Sequence, residues 1–330
     1  MKIKNKIALI LFSITIITSC GKEYKEEIKV NSTGKAGEVM IVIDNYRWES
    51  QIGDSLFEAF TAPFEVLPQE ESSYRVSHTS SNNFTNILTK HRNILIVKIE
   101  NNLKDEIIIT HDKWANNQLV IQINSSNDSS FIKYWTDNKK NIVKTYFNED
   151  IKRLQTSFTK YLNNKAIEKI KEKYNLQLSI PADFNLDVIK EDFCWISKET
   201  PKSSQSILIY IYPFTDSLQL LPDNIIKKRD LVAKQNVPGP KDGTYMQTEK
   251  RIELNQEKII VNNKNAILLR GLWYIENYFM GGPFISITIP DYSQKRIVTI
   301  DAFVYGGKED KKILIWQVEA IIKTIKFEDK

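Results

Sequence analysis

The sequence predicts an α+β protein: two mixed α/β domains with largely antiparallel sheets, joined by a long amphipathic helix, after an N-terminal signal peptide. Three patterns carry that reading. Short apolar runs alternate with helix-spaced segments from residue 36 to about 148. A stripe at spacings of three and four then runs from Ile151 to Tyr174, and six strand-like runs follow from Phe193. The implied divisions are a signal peptide at 1–19, a flexible tether at 20–35, a first α/β domain at 36–149, a linking helix at 150–175 and a second, sandwich-like α+β domain at 176–330.

The signal is read from charge and length. Lys2, Lys4 and Lys6 precede an apolar run from Ile7 to Ile17, about half of the roughly 20 apolar residues that a spanning helix needs. Ile17-Thr18-Ser19-Cys20 has the form of a lipobox, an aliphatic residue and two small ones before the cysteine that carries the lipid. Acyl chains of the palmitate kind add about 0.8 kcal/mol for each buried CH₂, so two or more give stable attachment. The expected state is therefore a lipid-anchored chain of the cell envelope, at the outer membrane, facing the periplasm or the cell surface.

With Cys20 acylated, Cys194 is the one cysteine left and no intramolecular disulfide is available. Cys194 lies in the apolar run Phe193-Cys194-Trp195-Ile196, which reads as core packing. The chain has a formal charge of +5, but removing the three signal lysines from its 46 basic residues leaves 43 against 41 acidic ones, a net +2. That balance gives no footprint for nucleic acid.

Residues 21 to about 35 are charged and aperiodic, as in a tether. Val39 to Ile43 is a continuous apolar run that suits a strand covered on both faces. A helix over Asp54–Phe60 ending at Pro63, a strand near Tyr74–Ser77, a short helix at Phe84–Thr89, and strands at Asn93–Ile99 and Leu119–Ile123 follow. The linking helix is expected to begin at Asp150 as N-cap and to end at Asn175.

In the second half, strands are expected at Phe193–Ile196, Ser206–Phe214, Arg251–Val261, Ala266–Phe279, Phe284–Ile289 and Ile297–Tyr305. Gly281-Gly282-Pro283 reads as the turn between two long strands, and helices are expected near Asp223–Gln235 and Glu309–Ile325.

Signatures of hydrolytic chemistry are missing. No Gly-x-Ser-x-Gly or His-Glu-x-x-His occurs, and the Ser-x-x-Lys matches at Ser32 and Ser157 have no companion motifs. His78, His91 and His111 stand 12 or more residues apart, which does not suit a zinc site. No cofactor or metal is expected. Trp273, Tyr274, Tyr278, Phe279, Phe284 and Tyr292 crowd one region, chiefly as core, with a face available to a glycan or peptide. Asp54-Ser55-Leu56 and Asp216-Ser217-Leu218 have the form of a short O-glycosylation acceptor.

Gly34 to Asp44, Trp48, Gly53, Pro68-Gln69-Glu70 and His91 to Leu95, with Ile180 to Phe184, Phe193 to Ile196 and Leu208 to Phe214, resemble a domain-of-unknown-function family of bacterial envelope lipoproteins. The resemblance spans nearly all of the chain after Cys20 and implies no assigned activity. The second half also resembles the α/β/α sandwich modules of the photosystem-accessory and nuclear-import-factor type, which implies protein binding. The expected function is a non-enzymatic binding or assembly module with an envelope protein or glycan partner, and the alternative is an envelope hydrolase built from dispersed carboxylates. Trp48, His91, Arg92 and Asn93 are the candidate recognition surface.

Overall fold

The computed structural model describes residues 29–307 and 309–328, so the expected signal peptide, Cys20 and the first part of the expected tether lie outside the described residues. The first half runs β1 (Glu38–Val42), α1 (Asn45–Trp48), α2 (Gln51–Thr61), β2 (Arg75–Thr79), β3 (Asn93–Ile99), β4 (Glu106–His111), β5 (Leu119–Ser125) and α3 (Asp128–Phe158). Its sheet has the order β2-β1-β3-β5-β4. β1 pairs in parallel with β2 and β3, β3 pairs in parallel with β5, and β4 is antiparallel to β5. Parallel strands are covered on both faces, which explains the unbroken apolar run in and after β1. Val39, Ile41 and Ile43 belong to the main core, whereas Met40 and Val42 belong to a small cluster closed by Phe84, Leu88 and Trp114.

The second half runs α4 (Asn164–Tyr174), β6 (Leu176–Gln177), β7 (Asn185–Ile189), β8 (Phe193–Glu199), β9 (Ser204–Pro213), α5 (Pro222–Asn236), β10 (Met246–Thr248), β11 (Asn255–Val261), β12 (Lys264–Ile275), β13 (Tyr278–Asp291), β14 (Arg296–Tyr305), α6 (Lys312–Ile322) and β15 (Lys326–Phe327). An antiparallel sheet has the order β10-β12-β13-β14-β9-β8-β7, with β11 also on β12, and β6 pairs with β15. Alternation sorts its side chains. Cys194 and Ile196 point into the main core, while Phe193 and Trp195 belong to a second cluster with Ile225, Val232 and Ala233 of α5.

The main core is continuous through both halves. Trp316 of α6, fully buried, has ring centroids 5.8 Å from Phe64, 5.9 Å from Tyr74 and 5.1 Å from Phe147, so one helix of the second half packs against three aromatics of the first. Among the described residues no helix is long and apolar enough to cross a membrane.

Fold class is as predicted, mixed α+β with mostly antiparallel pairing, but several elements differ. The first sheet is mainly parallel because irregular and helical crossovers, not hairpins, connect β1, β2 and β3. The helix expected at 150–175 is two. α3 starts 22 residues earlier, capped by Asn127, whose side chain accepts from Ser130 N at 3.0 Å. Its early turns bury only Phe131, Trp135, Ile142 and Tyr146, a stripe too thin to read.

α3 ends at Phe158, and Asn163 caps α4 by accepting from Ala166 N at 3.1 Å, so a polar side chain replaces helix continuation. Asn175 ends α4 in the left-handed region at φ 56°, as expected.

Gly281-Gly282-Pro283 is not a turn but part of β13. The turn falls at Glu276 and Asn277, where Asn277 takes a φ of 60°. Gly282 is required by proximity, since a Cβ there would lie 2.1 Å from the Val304 carbonyl oxygen. The Phe84–Thr89 helix is replaced by single 3₁₀ turns at Ser81–Asn83 and Leu88–Lys90.

Candidate functional site

The four predicted recognition residues fall at opposite ends of the first sheet. β1 and β3 run parallel, so Trp48, which follows β1, is at the carboxyl end, while His91, Arg92 and Asn93 lead into β3 at the amino end. They do not form one surface, and Asn93 is no surface residue, being fully buried.

At the amino end the organising group is Asp150, read from sequence as a helix cap but here inside α3, in its last third, and wholly inaccessible. Its Oδ2 accepts from Gly37 N at 3.1 Å and Asn93 Nδ2 at 3.2 Å; its Oδ1 accepts from Arg153 Nη1 at 3.0 Å and lies 3.3 Å from Arg92 Nε. The Tyr74 hydroxyl donates to Oδ2 at 3.5 Å, and burial beside this carboxylate raises the Tyr74 pKa well above its usual value.

Arg153 Nη1 also donates to Asn93 Oδ1 at 2.7 Å, and Asn93 Nδ2 donates to the Glu38 carbonyl at 2.9 Å. His91 holds Asn93 O through Nδ1 at 3.0 Å, and burial lowers its pKa. These groups tie β1, β3 and α3 together, while Arg92 Nε and Arg153 Nε are buried without a hydrogen-bond acceptor. In open α/β sheets ligands bind beyond the opposite, carboxyl ends of the strands. The His91-Arg92-Asn93 segment is thus a fastening of the first domain.

At the carboxyl end Trp48 stacks on His78 with centroids 4.4 Å apart and rings 3° from parallel, while His78 Nε2 meets Ile43 O at 2.9 Å. Arg47 pairs with Asp44 at 3.2 Å and with Asp128 at 2.8 Å. His111 Nε2 lies 3.5 Å from Glu149 Oε2. Among the described residues no group of three or more His, Cys, Asp or Glu is placed to hold a metal ion.

The second sheet carries an open cavity of about 440 Å³ on its α5 face. α5 covers only part of that face, and beyond its last turn the side chains of Trp195 (β8), Trp273 (β12), Met280 (β13), Phe303 and Tyr305 (β14) line a groove. Trp195 Nε1 donates to Ser206 Oγ at 3.2 Å and Trp273 Nε1 to Val304 O at 3.2 Å, which fixes both indoles. Trp273 and Phe303 meet edge to face at 5.5 Å. The rims are the β8–β9 turn Thr200–Ser204 and the segment Val237–Pro240.

Glu199 is the single carboxylate of the lining, and it accepts from Ser204 Oγ at 2.6 Å. The buried acid Asp301, paired with Arg229 at 2.7 Å under α5, does not line the groove. Such walls suit flat apolar or glycosyl faces and extended chain.

The aromatic cluster read from sequence is only partly this site. Trp273 lines it, Phe284 lies under the Arg229 guanidinium at 3.8 Å, and Phe279 and Tyr292 are exposed elsewhere. Trp195 was noted only as a neighbour of Cys194. Its position one residue from a core thiol, in a strand of period two, is the signal that puts it on the other face. Of the two acceptor-like tripeptides, Asp54-Ser55-Leu56 lies inside α2 with Leu56 fully buried, and Asp216-Ser217-Leu218 opens an exposed 3₁₀ turn.

Comparison with known proteins divides the chain where its helices divide. Residues 32–159 match the model of a domain of unknown function (DUF8532), and residues 163–324 match that of another (DUF4837), so the junction falls in the break between α3 and α4. No curated protein matches the sequence.

Among solved structures the chain is similar to the Mog1 E65A mutant, with TM-score 0.33 and 9% identity over 47% of this chain and 92% of that one. It is similar to the Saccharomyces cerevisiae Ran-binding protein Mog1p, with TM-score 0.32 and 10% identity over 47% and 91%. The third is LpqN, involved in cell envelope biogenesis of Mycobacterium tuberculosis, with TM-score 0.30 and 14% identity over 47% and 83%.

Proposed function

We propose that this chain is a lipid-anchored protein of the bacterial cell envelope that works by binding, holding an extended peptide or a glycan of another envelope component in the groove of its second domain. The single observation that carries the binding reading is the groove itself, where two fixed tryptophans, a phenylalanine and a tyrosine line an open sheet face with one hydrogen-bonded carboxylate beside them. A glycosidase site instead needs two converging carboxyl groups roughly 5 to 10 Å apart. The anchor reading rests on the Ile17-Thr18-Ser19-Cys20 sequence after a short apolar run, and the outer membrane is the expected destination.

Crosslinking in living cells, followed by capture through a carboxyl-terminal tag, tests both parts. Wild type, Cys20→Ala and Trp195→Ala are compared for membrane fractionation and for the crosslinked species. The proposal expects Cys20→Ala to leave the membrane fraction and Trp195→Ala to stay there but lose the crosslink. Membrane retention of Cys20→Ala would overturn the anchor, and an unchanged crosslink in Trp195→Ala would overturn the groove.

A further inference from the structure

The first sheet ends at β4, and no strand among the described residues pairs with its free side. The second domain meets the first near the other edge, where Glu71, just before β2, accepts from Lys311 N at 2.7 Å and Lys312 N at 2.9 Å. α3 packs over β3 and β5. That leaves β4 as an open margin, with Ile108 40% and Ile109 50% exposed.

An open strand edge is a template for pairing with further chain, and proteins blunt such edges with lysine, proline or a bulge. The edge strand β7 of the second sheet does so, its register shifting between Leu186 and Val188. β4 has none of these. Its six residues, Glu-Ile-Ile-Ile-Thr-His, keep an unbroken register on β5 from Glu106 to His111.

Alternation decides which of its backbone groups are free. Leu119 N, opposite His111, donates away from β4 to Arg92 O at 2.8 Å, and Asp112 N donates to Gln118 O at 2.9 Å. His111 therefore forms a non-hydrogen-bonded pair with β5, and so do Ile109 and Ile107. Their N–H and C=O groups point to the open side.

We propose that β4 pairs antiparallel with β4 of a second copy of this chain about a two-fold axis, joining two five-stranded sheets into one. Such a pair must set outward-facing residues opposite one another. One register that does so places Ile109 opposite itself and Glu106 opposite Asp112 of the other copy, two like charges. The neighbouring register places Ile108 opposite itself, Ile107 opposite Ile109, Glu106 opposite Thr110 and Asp105 opposite His111. Acid then meets histidine and isoleucine meets isoleucine on both faces, so the strand is its own complement. Ile107 already packs against the main core, which the pair would extend across the axis. This surface is separate from the aromatic groove and does not depend on it.

The test follows the full-length chain, purified in detergent, by analytical ultracentrifugation over a concentration series. Ile108→Lys puts two like charges face to face, and Ile260→Lys, at an isoleucine of β11 that is 75% exposed, is the charge-matched control. Wild type and control should dimerise with the same dissociation constant, which Ile108→Lys should raise about tenfold or more. Oxidation of cysteine variants reads the register. Residues directly opposed in a non-hydrogen-bonded pair have Cα atoms about 4.5 Å apart, within disulfide reach. Ile108→Cys should form a disulfide-linked dimer and Thr110→Cys should not, while the buried Cys194 takes no part. Hydrogen exchange should show the Ile107, Ile109 and His111 amides gaining protection with concentration, while those of Ile108 and Thr110 are protected throughout.

A chain that stays monomeric at every concentration, or a dimer that Ile108→Lys leaves intact, overturns the pairing. So does a crosslink at Thr110→Cys without one at Ile108→Cys. Outward amides already protected in the monomer would mean that another segment of the chain covers the edge, and a monomer that instead captures a foreign extended peptide on β4 would assign the edge to a different partner; either result overturns pairing between copies.

Discussion

The two domains bury polar groups in different ways, and the contrast tells fastening from recognition. In the first, the amino ends of β1 and β3 converge on a single inaccessible carboxylate, Asp150, whose oxygens meet Gly37, Asn93, Arg153 and Arg92. In the second, α5 covers only part of one sheet face and the strands continue beyond it with Trp195 and Tyr305 half-buried beside the buried Trp273 and Phe303. Polar residues at the edge of a strand thus proved to be architecture, while a run that read as core contributes to a groove.

The largest effect is expected where the first domain is fastened. Asp150→Ala leaves Arg92 and Arg153 as buried charges without their partner and should cost about 3 to 5 kcal/mol in denaturant unfolding. Hydrogen exchange should show β1 and β3 losing protection while β12 to β14 keep theirs. Equal loss in both sheets would mean that the shared core makes them one cooperative unit.

A pH effect of the next size belongs to the second domain. Glu319 titrates at about 2 in the folded state against an ordinary 4.5, because Arg270 and Lys323 outweigh its burial. A depressed carboxyl contributes stability that is fully present above the unfolded value and is lost as pH falls through the folded one. Unfolding free energy should therefore drop between about pH 4.5 and 2, and Glu319→Gln should flatten that slope while lowering stability at neutral pH. A slope unchanged in Glu319→Gln would place the acid sensitivity elsewhere.

The smallest effect sharpens the reading of the groove. A methyl at Gly282 would meet Val304 O at 2.1 Å and the Trp273 indole nitrogen at 3.1 Å, so Gly282→Ala must push β13 away from its neighbours. About 1 to 3 kcal/mol is expected from such overpacking. The accompanying change in Trp273 fluorescence should be larger than the stability change suggests, since the same carbonyl anchors that indole.

Much of the fold was legible because periodicity follows from which faces are covered. The continuous run Val39 to Ile43 reads as a two-sided strand since both layers bury it, and the stripe from Ile167 to Tyr174 reads as a helix that Asn175 ends. The start of α3 was hidden because its first turns bury about one large residue per turn, and Gly281-Gly282-Pro283 misled because a glycine needed for close approach looks like one needed for a turn. Of the sites, Trp195 was on the page without its meaning, and its groove neighbours Trp273 and Phe303 lie far along the chain with nothing in their spacing to join them.

The sequence by itself determined the α+β class, the succession of strands and the buried thiol at Cys194, since each is written in local order and spacing. Tertiary structure alone decided that Asp150 is a buried hub instead of a cap and that Trp195, Trp273 and Phe303 share a groove. Those facts depend on which strands pair and which helices cross, and contacts between residues more than a hundred positions apart leave no period in the chain.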